Sequence, residues 1–464
     1  MNQPLVTMTH VCQSWRNVLF STLSLWTHLD FSTSTKSQQA EDFLCRSGNL
    51  PLDIYQFLEL PDHVEPFLST TLHNLSRLRW LEINSCLDHL RRLLGYFSTS
   101  APVLEYLGIT NDPNITDKDM RFPSTIFGGQ LPKLTNLSLY FLRTDLRGPD
   151  SPSLTRFSFT TGTMVSLWSL TSFIQRCPLL EFIKLSLHYT PEPPIAPPRK
   201  RVRLAALKEL RCDQTACASG ILDHLILPKC AEMILEGEFT GEVLTRWGSP
   251  AAQIHPSSID HLPVTRGFAR VVAMPESCIL SGPNGNLRLR CSAGTRRDFN
   301  AEYFTSFSPI SVLDIRELWF GRSTKTYFDD DTKPLRQTCA RVRGAFEVLT
   351  KVEDLTIIRC ETRPFFAALN TAMDDNILLP RLQRLTIYIR YGDLDVPALV
   401  QCAKTRKEHS RPLGEVTVVF TDPEAATADL IREVESLREF VAEVNHHVGV
   451  ATMLILRGVD CDDW

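Results

Sequence analysis

The chain has 464 residues, 43% of them hydrophobic, a formal net charge of −4 and a sequence pI of about 6.3. That hydrophobic content supports a buried core and excludes a disordered chain. The near-neutral balance excludes a global attraction to nucleic acid or anionic membrane.

By length alone roughly three domains are expected. One repeat array fits equally, because stacked repeats escape the size limit of a single core. The first element is helical. VCQSWRNVLFSTLSLW (11–26) holds Trp15 and Trp26, two of the seven tryptophans. Val11, Trp15 and Val18 fall at helical spacing on one face. Such a stripe packs within the module, caps the adjoining repeats, or meets a partner, since exposed apolar stripes are uncommon without one. Residues 1–25 lack the basic start and unbroken apolar run of a secretory signal. No run approaches the ~18 consecutive apolar residues that span a bilayer, so no membrane partner is expected.

From residue 78 onward one pattern recurs: apolar, two residues, apolar, one residue, apolar. It reads LRWLEI (78–83), LEYLGI (104–109), LTNLSL (134–139), LTRFSF (154–159), LEFIKL (180–185), LKELRC (207–212) and, more weakly, CAEMIL (230–235). It returns as IRELWF (315–320), VEDLTI (352–357), LQRLTI (382–387), LGEVTV (413–418) and VATMLI (450–455). The last two apolar positions lie two apart and so share one face of a strand. The residue between them faces the other way and is often polar, as with Glu82, Ser138, Ser158, Lys184 and Thr386. Proline just before the first apolar position, at Pro132, Pro178, Pro228 and Pro380, keeps a preceding helix from running on.

Helical stretches lie between the strands. TMVSLWSLTSFIQRC (163–177) places Val165, Trp168, Leu170 or Thr171 and Ile174 near helical spacing, and 332–349 does likewise. The prolines of TPEPPIAPPRKRVRL (190–204) give an extended loop, and its basic run reads as solvated, so nucleic acid is not an expected partner. Residues 236–300 break the rhythm with Gly and Pro. Two β-like stretches, ARVVAM and NLRLRC, stand there with a turn at Asn284-Gly285. Asp329–Asp331 form a short acidic loop without the alternating ligands and glycine of a calcium site. Near the C-terminus Asp422 caps, Pro423 opens and Glu424 complements a helix. Leu430, Val434, Leu437, Val441, Val444 and Val448 form its apolar stripe, with His446 and His447 near its end.

These repeats predict an α/β fold: a leucine-rich-repeat solenoid, a horseshoe with parallel strands on the concave face and helices outside. An ordinary α/β domain with parallel strands would use similar runs. The outward strand positions that suit protein recognition are Trp80, Tyr106, Arg156, Lys184, Arg211 and Trp319, set among Glu82, Asn136, Ser138, Ser158, Thr356, Thr386 and Thr417.

No constellation for catalysis is present. There is no GxGxxG leading a helix, no phosphate loop, no GxSxG and no HExxH. No enzyme activity, cofactor or metal is expected. The thirteen cysteines include no CxxC pair. Cys12, Cys45 and Cys177 sit among apolar residues, so reduced, buried thiols in a cytosolic or nuclear protein are expected.

Residues 11–31 resemble the second half of a fungal F-box-like domain. The features that carry the likeness are Val11-Cys12, Trp15-Arg16, Val18, Ser21, Ser24-Leu25-Trp26 and His28-Leu29-Asp30. EDFLCRSGNLPLDIYQF (41–57) is similar to the helix, arginine-serine and PL-strand link that joins such F-boxes to leucine-rich repeats. The LPxE-type first helix of the family is absent ahead of Val11, where the chain starts MNQPLVTMTH, so the F-box is expected to be N-terminally truncated. The organisation implied is a partial F-box at 1–31, a helix and strand connector at 32–61, and degenerate repeats at 62–464 with an irregular insertion near 236–300. The resemblance implies a substrate-recognition subunit of a Skp–cullin–F-box ubiquitin ligase, with the repeats binding an unknown target protein. Val11, Trp15, Val18, Leu25 and Trp26 would contact the Skp-type adaptor. The competing reading is a repeat scaffold outside any ligase, carrying an F-box remnant.

Overall fold

The computed structural model of the chain describes residues 3–30, 37–58, 71–85, 87–111, 126–129, 131–141, 146, 151–161, 166–187, 201–213, 221–237, 262–265, 267–274, 277–291, 314–321, 335–358, 362–370, 377–389 and 394–448. Two compact units divide the chain, Met1–Cys230 and Ala231–Trp464.

The first unit opens with α1 (Gln3–Thr9), α2 (Gln13–Ser21) and a 3₁₀ turn at Leu23–Trp26. Next come β1 (His28–Asp30), α3 (Ser37–Ser47), β2 (Leu52–Leu58), β3 (Leu78–Ser85), α4 (Leu87–Tyr96), β4 (Tyr106–Asn111), β5 (Asn136–Tyr140) and β6 (Arg156–Thr161). After α5 (Leu167–Gln175) come β7 (Phe182–Leu187), β8 (Val202–Arg203), β9 (Glu209–Asp213) and β10 (Leu225–Ile226). Strands β1 to β7 and then β9 lie side by side in chain order, every pair parallel. Strands β8 and β10 pair with each other as a separate parallel ladder.

The second unit contains β11 (Glu232–Gly237), β12 (Arg270–Met274), β13 (Ser277–Gly282), β14 (Gly285–Cys291), β15 (Glu317–Gly321), α6 (Leu335–Val348) and β16 (Asp354–Ile358). It continues with α7 (Arg363–Asn370), β17 (Arg384–Ile389), α8 (Val396–Glu408), β18 (Glu415–Phe420), α9 (Ala428–Glu435) and β19 (Glu443–Val448). Strands β12 and β15 to β19 run parallel in that order. Both units are therefore α/β with mostly parallel sheets.

The recurring apolar positions build this arrangement. Register aligns Leu81, Leu107, Leu137, Phe157, Ile183 and Leu210 across β3 to β9. In the second unit it aligns Leu318, Leu355, Leu385, Val416 and Val444. All are buried, and each such side chain contributes about 1.5–3 kcal/mol by leaving water. The first apolar residue of a copy is held by a turn: Leu104, Leu134, Leu154, Leu180, Val352 and Leu382 each donate their N–H to the carbonyl three residues back. The next N–H reaches the neighbouring copy, as in Thr135 to Glu105, Glu181 to Thr155, Gln383 to Glu353 and Gly414 to Gln383. Helices cover the apolar side of the sheets. Phe173 of α5 packs on Phe157, and Phe346 of α6 and Phe365 of α7 pack on Phe320.

Several expectations are corrected. The helix expected through 448 ends early: α9 stops at Glu435, a 3₁₀ turn covers Ser436–Glu439, and Glu443–Val448 is β19. Val441 and Val444 are the leading positions of another repeat copy, and Glu443 donates to Gly414 as its counterparts do. His446 stands where the third apolar residue would be, which hid the copy, and the β-branched valines favour a strand there. VATMLI lies outside the described residues. The two β-like stretches of the insertion do not pair with each other. SCILSG forms β13 between them, antiparallel to both, and the Asn284-Gly285 turn joins β13 to β14. Trp168 is not part of the buried stripe of α5; it is 72% exposed, and Leu167, Leu170, Thr171, Phe173 and Ile174 face the core. Cys12 and Cys45 are exposed, whereas Cys177 is buried. Asp329–Asp331 and residues 190–200 lie outside the described residues. Among the described residues no helix is long and apolar enough to cross a membrane.

Candidate functional site

Two surfaces hold the residues singled out by the sequence. The first is the N-terminal segment. Trp26 is wholly buried. Its indole N–H donates to the Leu19 carbonyl at 2.8 Å. Its ring meets Phe43 of α3 edge-on at 4.9 Å and Phe20 of α2 at 5.8 Å. The Arg46 guanidinium lies 4.6 Å from the centroids of both Phe20 and Trp26. Ser47 accepts from Arg77, which also donates to the Leu50 carbonyl. The arginine-serine pair thus clamps α3 onto the turn before β1 and onto the start of β3. Trp26 is a core anchor, which corrects its assignment as an adaptor contact.

The other four residues of that group point outward. Val11 is 63%, Trp15 51%, Val18 60% and Leu25 40% exposed. Val11 precedes α2 instead of lying within it, because Cys12 is the extended residue at the helix start. Trp15 and Val18 are neighbours three apart on the exposed side of α2, while Leu19, one turn on from Trp15, is buried and Arg16 donates to the Thr9 carbonyl. Met8, Leu23 and the outer edge of Phe20, whose ring otherwise packs on Trp26 and Arg46, are also exposed in this segment. Seven of the twelve large exposed apolar residues among those described fall within 8–25, so the apolar exposure is concentrated in one segment and not scattered.

The second surface is the open, polar face of the first unit's sheet. One register row crosses it as Trp80, Tyr106, Asn136, Arg156, Phe182 and Glu209. The next reads Glu82, Gly108, Ser138, Ser158, Lys184 and Arg211. Trp80 and Tyr106 stack with centroids 3.5 Å apart and planes 8° from parallel. The Tyr106 ring lies down over Gly108: a Cβ there would stand 2.8 Å from the Tyr106 hydroxyl and 2.9 Å from its ring. The hydroxyl reaches Ser138, and burial pushes the Tyr106 phenol up to about 12, with the Glu82 charge adding to the shift. Burial also holds the Glu82 carboxyl above the usual range, against the downward pull of the hydrogen bond it receives from Trp80.

At the other end of the face Phe182 lies between two guanidinium groups, Arg156 at 5.7 Å and Arg211 at 5.5 Å from its centroid. Arg211 is paired with Glu209. Arg156 and Lys184 have no carboxylate partner among the described residues.

In the second unit Trp319 is engaged with its own sheet. It packs on Val272 and Ile279, donates to Glu317 at 2.8 Å, and lies 5.3 Å beneath Arg270, itself bonded to Glu317. Thr356, Thr386 and Thr417 continue its register on β16 to β18. Among the described residues no group of His, Cys, Asp or Glu has the geometry to hold a metal. Sequence reasoning missed the Gly108 seat, because a glycine at an outward position has no side chain to draw notice.

The chain matches no protein-family model. No curated protein matches its sequence.

Proposed function

We propose that the chain is a non-catalytic, substrate-recognition subunit of a Skp–cullin–F-box type ubiquitin ligase, working in the cytoplasm or nucleus. Leucine-rich repeats choose the target protein, and the N-terminal segment docks on the Skp-type adaptor that links to the cullin. The observation that carries this reading is the exposure of Val11, Trp15, Val18 and Leu25 within the segment resembling an F-box. A patch that a soluble chain leaves uncovered in one place marks an interaction site, and an aromatic among aliphatics is the composition of a hot spot. The repeat reading rests on the regular parallel strands with a shared strand-entry turn. The test is co-purification of the full chain with the adaptor. Trp15→Ala is expected to abolish it while leaving the protein folded, and absence of adaptor binding by the unaltered chain removes the ligase reading.

One observation favours the competing scaffold reading. Strand β1, which ends the F-box-like segment, is a member of the sheet, with Leu29 opposite Ile54, so the segment also shields the first edge of the repeats. A scaffold of this kind binds its partner and takes up no adaptor.

A further inference from the structure

The open face of the first unit carries unlike charges at its two ends. At one end the exposed stack of Trp80 on Tyr106 stands beside Glu82, whose carboxylate meets no cation among the described residues and accepts only from Trp80 there. At the other end Arg156, over the Phe182 ring, and Lys184, opposite Ser158 on the next strand, have no carboxylate partner among the described residues. Between them the floor is small and polar, with Gly108 beneath the Tyr106 ring and Ser138 and Ser158 in the same row. Each end is half-built for a charged group: an aromatic platform with a carboxylate suits a basic side chain through cation–π and ionic attraction, and paired basic groups suit a carboxylate.

We infer that this face takes an extended peptide segment of the target protein, with a basic side chain against Trp80 and Glu82 and an acidic one between Arg156 and Lys184. The inference rests on the repeats being the target-recognition part of the chain. The sheet sets the spacing. Glu82 on β3 is three strands from Arg156 on β6 and four from Lys184 on β7. At about 4.8 Å per strand these are about 14 and 19 Å, or about four to six residues of an extended peptide at about 3.3 Å each. The serines and Asn136 supply hydrogen-bonding groups along that path. The polarity of the face gives specificity more than raw affinity, because a segment with two like charges leaves one end repelled.

The test uses the full chain and fluorescein-labelled synthetic peptides of about ten residues in a Gly-Ser background. Each carries one Arg and one Glu in either order, separated by about two to about eight residues. Fluorescence anisotropy is expected to show an affinity optimum at about four to six, at least about tenfold tighter than peptides with no charge or two like charges. The double variant Arg156→Glu/Lys184→Glu is expected to lose the Arg–Glu preference and gain an Arg–Lys preference, a reversal that only a folded face can give. Trp80→Ala is expected to weaken the optimal peptide at least about tenfold. No binding by any peptide, affinity indifferent to spacing, or an Arg–Glu preference retained by the double variant overturns the inference. Adaptor binding is read separately: a chain that binds the adaptor and ignores the peptides loses only the peptide inference, and one that selects peptides without binding the adaptor loses only the ligase reading.

Discussion

The two N-terminal tryptophans are expected to respond in opposite ways to truncation. Trp26→Ala empties a site with no solvent exposure, bounded by Phe20, Phe43 and Arg46. Removing a buried Trp side chain costs about 3–5 kcal/mol. The lost hydrogen bond to Leu19 adds about 1 kcal/mol. Partial collapse of the site offsets some of this, so about 4 kcal/mol is the expected loss, a factor of roughly 1,000 at about 1.4 kcal/mol per tenfold. Trp15→Ala removes a side chain half in water and is expected to cost less than about 0.5 kcal/mol. Two units make global unfolding a poor gauge, so the assay is native-state hydrogen exchange at the Thr22 amide, which donates to Val18 and Leu19 and reports local opening. Protection there should fall by roughly 1,000-fold in Trp26→Ala, or to the ceiling set by local opening, and stay nearly unchanged in Trp15→Ala. Equal effects of the two, or a loss below about 1 kcal/mol for Trp26→Ala, refute the assignment of one tryptophan to the core and the other to the surface.

Three more outcomes rest on the same physics. Arg406, wholly buried in α8, donates to the carbonyls of Leu378, Leu379 and Leu382; Arg406→Met removes this donor from all three, leaving Leu379 only the Leu382 N–H, and is expected to cost about 2–4 kcal/mol, measured as faster exchange in β17 and α8. Gly285 has a φ of +127°, and a Cβ there would stand 2.3 Å from the Ala231 carbonyl; Gly285→Ala is expected to destabilise the β11–β14 ladder by at least about 1–3 kcal/mol, seen as faster exchange at the Asn286 amide, which bonds Ala231. Tyr106 gives a pH dependence. Its phenol titrates near 12 when folded against 10.0 for the ordinary group, so its contribution is complete below about pH 10 and falls as pH rises from 10 toward 12, where the unfolded chain releases the proton first. Burial raises Tyr55 and Tyr388 as well, so absorbance of tyrosinate should show one fewer late-titrating tyrosine in Tyr106→Phe, and one shifted downward in Gly108→Val, where the ring is displaced from its seat.

Much of the fold was legible because the repeat is a statement about strand faces. Leu81 and Ile83, or Leu385 and Ile387, could only be core together if the residue between them pointed out, and the alternation was enough to place Trp80, Glu82, Arg156 and Lys184 on the open face. The hidden parts had local causes. A histidine in an apolar slot concealed the copy at 441–446, and three valines that also fit a helical stripe completed the disguise. β13 was missed because its antiparallel turn back breaks the parallel rhythm that revealed its neighbours. Trp26 was grouped with the exposed apolar residues because sequence shows size and spacing and not which side of a short turn meets α3. The stack of Trp80 on Tyr106 depends on the missing side chain of Gly108, a relation across two strands that no single stretch of sequence displays.

The most direct test of the proposed role is isothermal titration of the purified full chain with a purified Skp-type adaptor, beside the variant Trp15→Asp/Val18→Asp. Saturable one-to-one binding by the unaltered chain, lost in the variant while Thr22 keeps its exchange protection, is the predicted result. No binding by the unaltered chain, or equal binding by the variant, contradicts the account of residues 8–25 as the docking surface.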